Sequence, residues 1–328
     1  MIEVSSMPPL ASVQDLGRDG FWHQGLGRAG AMDPAAQRVA NLLLGNDAGA
    51  ATLEIPLTPA RLRFGARMGF ALAGAACGAR LDGRALPRVF AGIAEAGAVL
   101  DMGPMRAGAR VYLAVAGGFD VPLVLGSRST QLREGFGGLE GRVLAAGDRL
   151  AAVEDRLPVL PPGGLSLEVA ALRLPPGGVV EVRALPSTEH DGFTPEATAA
   201  FWSAAYAISP QSNRQGYRLE GPALDRAAGA ELRSHGIVPG IVQVPGGGQP
   251  IIQLADSATM GGYPKIAAVI EPDLWRLGQA RPGDRVRFRR TDLAGAAQAA
   301  RDEAALWDDL RGRIAEMAAQ RRAWGDAC

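Results

Sequence analysis

The chain has 328 residues, and its 34 Lys plus Arg balance 34 Asp plus Glu. With the arginines scattered and the net charge zero, the sequence offers no electrostatic footprint for nucleic acid or an anionic membrane, so small molecules or proteins are the expected partners. At roughly 150 residues per domain the length predicts about two domains, each able to bury a core, and 44 Gly with 23 Pro argue for tight turns between short strands.

In chain order, the N-terminus shows no basic region followed by an apolar run, and no stretch of about 18 uninterrupted apolar residues occurs, so a cytoplasmic chain without a membrane span is expected. Gly25-Leu-Gly-Arg-Ala-Gly30 matches the spacing of a dinucleotide-binding loop. The residues before it, Arg18-Asp-Gly-Phe-Trp-His-Gln24, do not form a buried parallel strand, and the alternating strand and helix pattern of a doubly wound sheet is missing. A glycine loop offering backbone N–H groups to an anionic substrate remains the better reading. Asp33-Pro34 reads as an N-cap followed by Pro at the first helical position, and Gly45 closes the helix Ala35 to Leu44.

Apolar or alternating segments of strand length follow at Arg61–Phe64, Met68–Leu72, Arg110–Val115, Val179–Val182, Ile251–Leu254 and Arg285–Phe288. Thr194-Pro195-Glu196 opens a second helix. From Asp292 to Trp324, Leu293, Ala297, Ala300, Leu306, Leu310, Ile314 and Met317 recur near helical spacing and predict an amphipathic helix packed on the body or on a partner. Cys77 and Cys328 are too few for a disulfide framework or a metal cluster, and His23, His190 and His235 are far apart, so no metal site is expected. His235 is the one histidine placed to line a cleft.

The two halves repeat an order of features. A capped helix, Thr52-Leu-Glu-Ile-Pro-Leu57, Gly108–Val115 and Ala146-Gly-Asp-Arg-Leu150 correspond to a capped helix, Arg218-Leu-Glu-Gly-Pro-Ala-Leu224, Gly248–Leu254 and Pro282-Gly-Asp-Arg-Val286. This predicts a mainly β protein with related domains at 1–158 and 165–290, joined through the Pro/Gly-rich stretch Leu157 to Gly164, and a helix and tail at 291–328.

Of all the basic residues only Lys265 is a lysine. Arginine stays charged at any accessible pH, whereas a buried lysine can release a proton, so a position that keeps lysine in an arginine-rich chain is a catalytic candidate. It follows Gly261-Gly262-Tyr263-Pro264, where glycines permit close approach or positive φ and Pro264 restrains the residue before it. Asp256, nine positions earlier, can accept a charge-assisted hydrogen bond from the lysine or from substrate.

The stretch Gly261-Gly-Tyr-Pro-Lys-Ile-Ala267, together with Val13-Gln-Asp-Leu-Gly-Arg18, Gly30-Ala-Met-Asp33, Asn41, Asn46, Gly126-Ser-Arg-Ser-Thr130 and Gly216–Pro222, resembles the biotin-dependent carboxyltransferase family over about residues 1 to 290. That family includes the 5-oxoprolinase C subunit, KipA and allophanate hydrolase subunit 2. The chain departs from the usual family motifs at Ser212-Asn-Arg-Gln-Gly216 and at Ser257, Ala258 and Met260.

The resemblance implies two cyclophilin-like β-barrel domains with a cleft between them, and no prolyl isomerase activity follows from that shape. It implies Lys265, Asn41 and Asp256 as catalytic residues, with Gly30, Met32, Asp33, Ser127, Arg128, Ser129, Asn213, Arg214, Gly261, Gly262 and Tyr263 around the substrate. One activity it implies is ATP-dependent opening of 5-oxo-L-proline to L-glutamate with A and B subunits, ATP and its magnesium acting through the complex. Another is carboxyl transfer to urea or another amide, with biotin on a separate protein because Lys265 does not lie in a biotin-acceptor sequence. A third is a non-enzymatic, KipA-like antagonist of a kinase inhibitor.

Overall fold

The computed structural model describes residues 1–169, 172, 174, 178–227 and 232–325; Cys328 and the end of the predicted tail lie outside them. The chain forms two compact units, the first from the described residues of Met1–Arg18, Asp33–Leu174 and Ala304–Cys328, the second from those of Asp19–Met32 and Pro175–Glu303.

The first unit contains β1 (Ile2–Ser6), β2 (Ser12–Gln14), α1 (Pro34–Leu43), β3 (Thr52–Pro56), β4 (Ala60–Phe64), β5 (Met68–Ala76), β6 (Arg80–Leu81), β7 (Arg84–Ala85), β8 (Phe90–Ala94), β9 (Val99–Met102), β10 (Ala107–Val115), β11 (Arg149–Leu150) and β12 (Leu165–Ser166). Among the described residues these strands make two six-stranded sheets, ordered β11-β1-β4-β9-β6-β7 and β12-β8-β5-β10-β3-β2. Strand β4 alternates buried and exposed positions and so shows one face to solvent. Strand β5, in contrast, is buried almost throughout, and α1 packs on both β5 and β10. Small residues on α1, Ala35, Ala36 and Ala40, let the helix lie close to the sheet. Phe64, Phe70 and Phe90 meet in the core with ring centroids 5.2 and 5.9 Å apart, each burial contributing about 1.5–3 kcal/mol.

The second unit contains β13 (Val179–Pro186), α2 (Pro195–Ser203), β14 (Ala205–Ile208), β15 (Gly216–Glu220), β16 (His235–Gly236), β17 (Ile241–Gln243), β18 (Ile251–Gln253), β19 (Met260–Gly261), β20 (Lys265–Val269), α3 (Leu274–Gly278) and β21 (Arg285–Arg290). Seven of these described strands close a barrel in the order β13-β20-β17-β18-β15-β14-β21, and β16 pairs only with β19. The barrel closes through a parallel seam between β13 and β21, with Val180 opposite Val286 and Val182 opposite Phe288. Phe201 of α2 stacks on Phe288 at 4.4 Å.

The repeated sequence features take up matching places. In the first unit β3 is the partner of β10, with Ile55 opposite Val111; in the second β15 is the partner of β18, with Tyr217 opposite Ile252. The Gly-Asp-Arg segments diverge, since β11 runs antiparallel to β1 whereas β21 runs parallel to β13. The last helix, α4 (Leu293–Gly325), forms as the spacing predicts, but among its described side chains the buried ones are Ala299, Trp307 and Leu310. Leu293, Ala297 and Ala300 are exposed because the buried stripe is displaced by one to two positions in the first turns.

Candidate active site

Lys265 opens β20 opposite Gln243 of β17, at a shift in register between Val242 and Gln243. The approach is made by the Gly261-Gly262 pair. Neither glycine uses the left-handed region; Gly261 is required by space, because a Cβ there would stand 2.5 Å from Gln243 Nε2. That amide is fixed in turn, since Gln243 Nε2 donates to the Tyr263 carbonyl at 3.3 Å and its Oε1 accepts from Gln253 Nε2 at 2.9 Å. The β16–β19 ladder sets His235 opposite Gly261 and brings its imidazole over the lysine.

Lys265 is buried, with 3% of its surface exposed. Its Nζ is hydrogen-bonded to His235 Nε2, and that same ring nitrogen lies 3.2 Å from Glu189 Oε1. The other Glu189 oxygen accepts the Lys265 backbone N–H at 3.1 Å, and His235 Nδ1 lies 3.0 Å from the Arg233 carbonyl. Burial pushes the Lys265 ammonium below its ordinary pKa, opposed by the Glu189 charge. Burial raises the Glu189 carboxyl, but the Thr188 hydroxyl, the Lys265 N–H and the charges of Lys265 and His235 outweigh it, so the group stays below the usual carboxylate range. Glu189 carried no motif in the sequence, since it lies 76 residues before Lys265 and only the β13–β20 pairing brings it near.

A second cluster in the same unit centres on Arg214. Its Nε and Nη2 donate to the two Asp256 oxygens at 2.9 and 3.0 Å, and Nη2 also donates to the Gly30 carbonyl at 2.7 Å. Ala29 and Gly30 both have left-handed φ, 54° and 87°, and this turn presents the Gly30 oxygen. Asp256 is thus partnered by Arg214 rather than by Lys265. Asn213 is exposed and caps the Gln215 N–H at 2.8 Å, while Met32 packs into the second core. Tyr263 and Met260 are more than half exposed. The Ser257 hydroxyl, one of the departures from the family pattern, is buried with no hydrogen-bond partner among the described residues.

In the first unit, the Val13–Arg18 and Gly126–Thr130 motifs form one structure. Asp15 Oδ1 accepts from Ser127 Oγ at 2.7 Å, Ser129 Oγ at 2.5 Å and the Gly17 N–H at 2.7 Å, while Oδ2 accepts the Arg128 N–H at 2.6 Å. Arg18 donates to the Ser129 carbonyl at 2.6 Å. Ser127 and Ser129 are fully buried and their hydroxyls serve this clamp; the Arg128 guanidinium is hydrogen-bonded to the Val121 carbonyl. Asn41 is also fully buried, its amide donating to the Ala50 carbonyl at 2.7 Å and accepting from Asn46 at 2.9 Å. Asp33 caps α1 through the Ala36 N–H at 2.9 Å, and its own N–H meets the Tyr112 hydroxyl at 2.8 Å.

The arrangement in the second unit places a buried ammonium of lowered basicity beside a glycine-built rim, which suits stabilisation of negative charge on a carbonyl oxygen. Among the described residues no group of three His, Cys, Asp or Glu could hold a metal ion, and no helix is long and apolar enough to cross a membrane.

Residues 24–290 match the family model described as carboxyltransferase domain, subdomain A and B. The 5-oxoprolinase C subunit of Escherichia coli is 42% identical over 96% of this chain and 99% of its own length, and that of Haemophilus influenzae is 38% identical over 95% and 98%. The crystal structure of the Kluyveromyces lactis urea carboxylase superposes with a TM-score of 0.83 at 29% identity, covering 90% of this chain and 28% of that one. The strand order, the clustered motifs and this agreement along the chain have one meaning: the chain belongs to the carboxyltransferase-domain family.

Proposed function

We propose that this chain is the C subunit of a bacterial, cytoplasmic, ATP-dependent 5-oxoprolinase, which opens 5-oxo-L-proline to L-glutamate together with A and B subunits. The observation that carries this reading is similarity to two proteins of that name along nearly the full length of both partners. The urea amidolyase of Saccharomyces cerevisiae, at 32% identity, is matched over only 16% of its length.

A lactam is a poor electrophile, and attack on it builds negative charge on its oxygen. Lys265, held at the end of the Gly-Gly-Tyr-Pro rim, is the group that would meet that charge. Arg214 and Asp256 would keep the Gly30 turn and the 254–257 turn in place beside one another. Asn41, fully buried, would act by ordering the end of α1. ATP with its magnesium would act through the assembled complex, and no step through it is placed on a residue of this chain.

A second reading, carboxyl transfer to urea or another amide, draws on the superposition with urea carboxylase. Lys265 lies in Gly-Gly-Tyr-Pro-Lys rather than in a biotin-acceptor sequence, so that reading would need a separate biotin carrier. Mixing the purified chain with candidate A and B subunits, ATP and 5-oxoproline should yield glutamate and ADP in step. An assembled complex that makes no glutamate, yet carboxylates urea when given a carboxylated biotin carrier, would overturn the first reading in favour of the second.

A further inference from the structure

We propose that His235 is the positioning residue that exchanges protons for Lys265, the two side chains sharing one proton beneath the Glu189 carboxylate. The geometry carries it. Lys265 is 3% exposed, whereas the His235 side chain is 40% exposed and Glu189 17%, so the imidazole is the member of the trio that faces solvent.

The tautomer follows from the partners. Nδ1 faces a carbonyl oxygen, which only accepts, so Nδ1 keeps its hydrogen and donates to Arg233. Nε2 faces both the Lys265 amine and a Glu189 oxygen. In one state the lysine is an ammonium donating to the Nε2 lone pair, which then confronts the carboxylate oxygen 3.2 Å away. In the other the proton has moved from Nζ to Nε2. The imidazolium then donates to Glu189, and Lys265 is a neutral amine with its lone pair free.

The transfer conserves charge: one N–H bond breaks at Nζ, one forms at Nε2, and the three groups together stay neutral. Loss of that proton from the imidazolium to water completes the exchange. Burial lowers the basicity of the Lys265 ammonium, opposed by the Glu189 charge, and so favours moving the proton off Nζ. Among the described residues, the titratable groups whose charges act within this cluster are Glu189, His235 and Lys265 themselves, with the Thr188 hydroxyl donating to Glu189 at 2.9 Å.

This deepens the reading of Lys265 as the reacting cation and rests on it, but its test needs no substrate or partner protein. Because Lys265 is the one lysine in the chain, protein grown with 13C- and 15N-labelled lysine gives a single side-chain resonance. In the isolated full chain the Lys265 Cε and Nζ shifts should move in two steps. The lower step should coincide with the change in the His235 ring resonances. His235→Gln should reduce this to one step, and Glu189→Gln should shift the His235 titration to lower pH. A single Lys265 step in the unaltered chain, with no inflection where His235 titrates, would overturn the proposal whether or not either variant folds. Glutamate formation with a single-step lysine would leave the proposed function standing and remove this inference alone.

Discussion

Arg214 holds both carboxylate oxygens of Asp256, at 2.9 and 3.0 Å, with the two side chains only 4% and 3% exposed. Such a pair is weak support for stability as a whole, because desolvation offsets much of the attraction, but removing one partner leaves a buried charge uncompensated. Arg214→Met should therefore cost about 3–5 kcal/mol, read from the urea midpoint. Replacing both residues by apolar ones should recover much of that loss. A single variant as stable as the parent would mean that Asp256 finds another partner.

The Asp15 clamp makes a sharper prediction, because the two oxygens are used differently. Asn in its place keeps one acceptor and turns an N–H₂ group toward either the Arg128 N–H or the Gly17 N–H, neither of which can reverse its role. Asp15→Asn should cost about 1–3 kcal/mol and speed hydrogen exchange at Gly17 and Arg128. Unchanged exchange at both amides would show that the 126–130 loop is held by something else.

Acid should weaken the second unit through Asp273. Burial raises this carboxyl, but the Arg183 side chain and backbone N–H, with Arg276 nearby, outweigh it and hold it below the ordinary range. Its folded pKa is thus depressed. The stabilisation is complete above the unfolded value of about 3.9 and is lost as pH falls through the folded value. Asp273→Asn should be less stable than the parent at pH 7, and the gap should close toward pH 2. A constant gap across that range would place the effect in packing rather than in charge.

Much of the fold could be read from local signals. Asp33 and Thr194 cap α1 and α2 with their side chains, accepting the Ala36 and Ala197 N–H groups at 2.9 and 3.1 Å, because Ser/Thr/Asp before Pro satisfies free amides wherever the helix sits. Five of the six expected strand segments lie wholly in strands and the sixth, Ile251–Leu254, overruns β18 by Leu254, since period-two and continuous apolar runs encode burial directly. The stripe on α4 was less legible: in an alanine-rich helix several faces are similarly apolar, and Trp307 decides which one is buried. For the candidate site, the lone lysine and its glycines were legible in the sequence, and the structure buries that lysine at the start of β20 just after them. The partner of Asp256 could not be inferred, because Arg214 lies 42 residues away and is joined by loop geometry. Glu189 likewise depends on barrel closure, which no short motif records.

The proposed task of Lys265 is to meet the negative charge that builds on 5-oxoproline as its ring opens in the multi-subunit enzyme. The most direct measurement is the rate of glutamate formation by the assembled complex carrying either the parent chain or Lys265→Met, with assembly checked for both. Loss of a preorganised charge at a developing oxyanion should lower the rate by about 10²–10³-fold. A Lys265→Met complex that assembles and turns over 5-oxoproline at the parent rate would contradict the account.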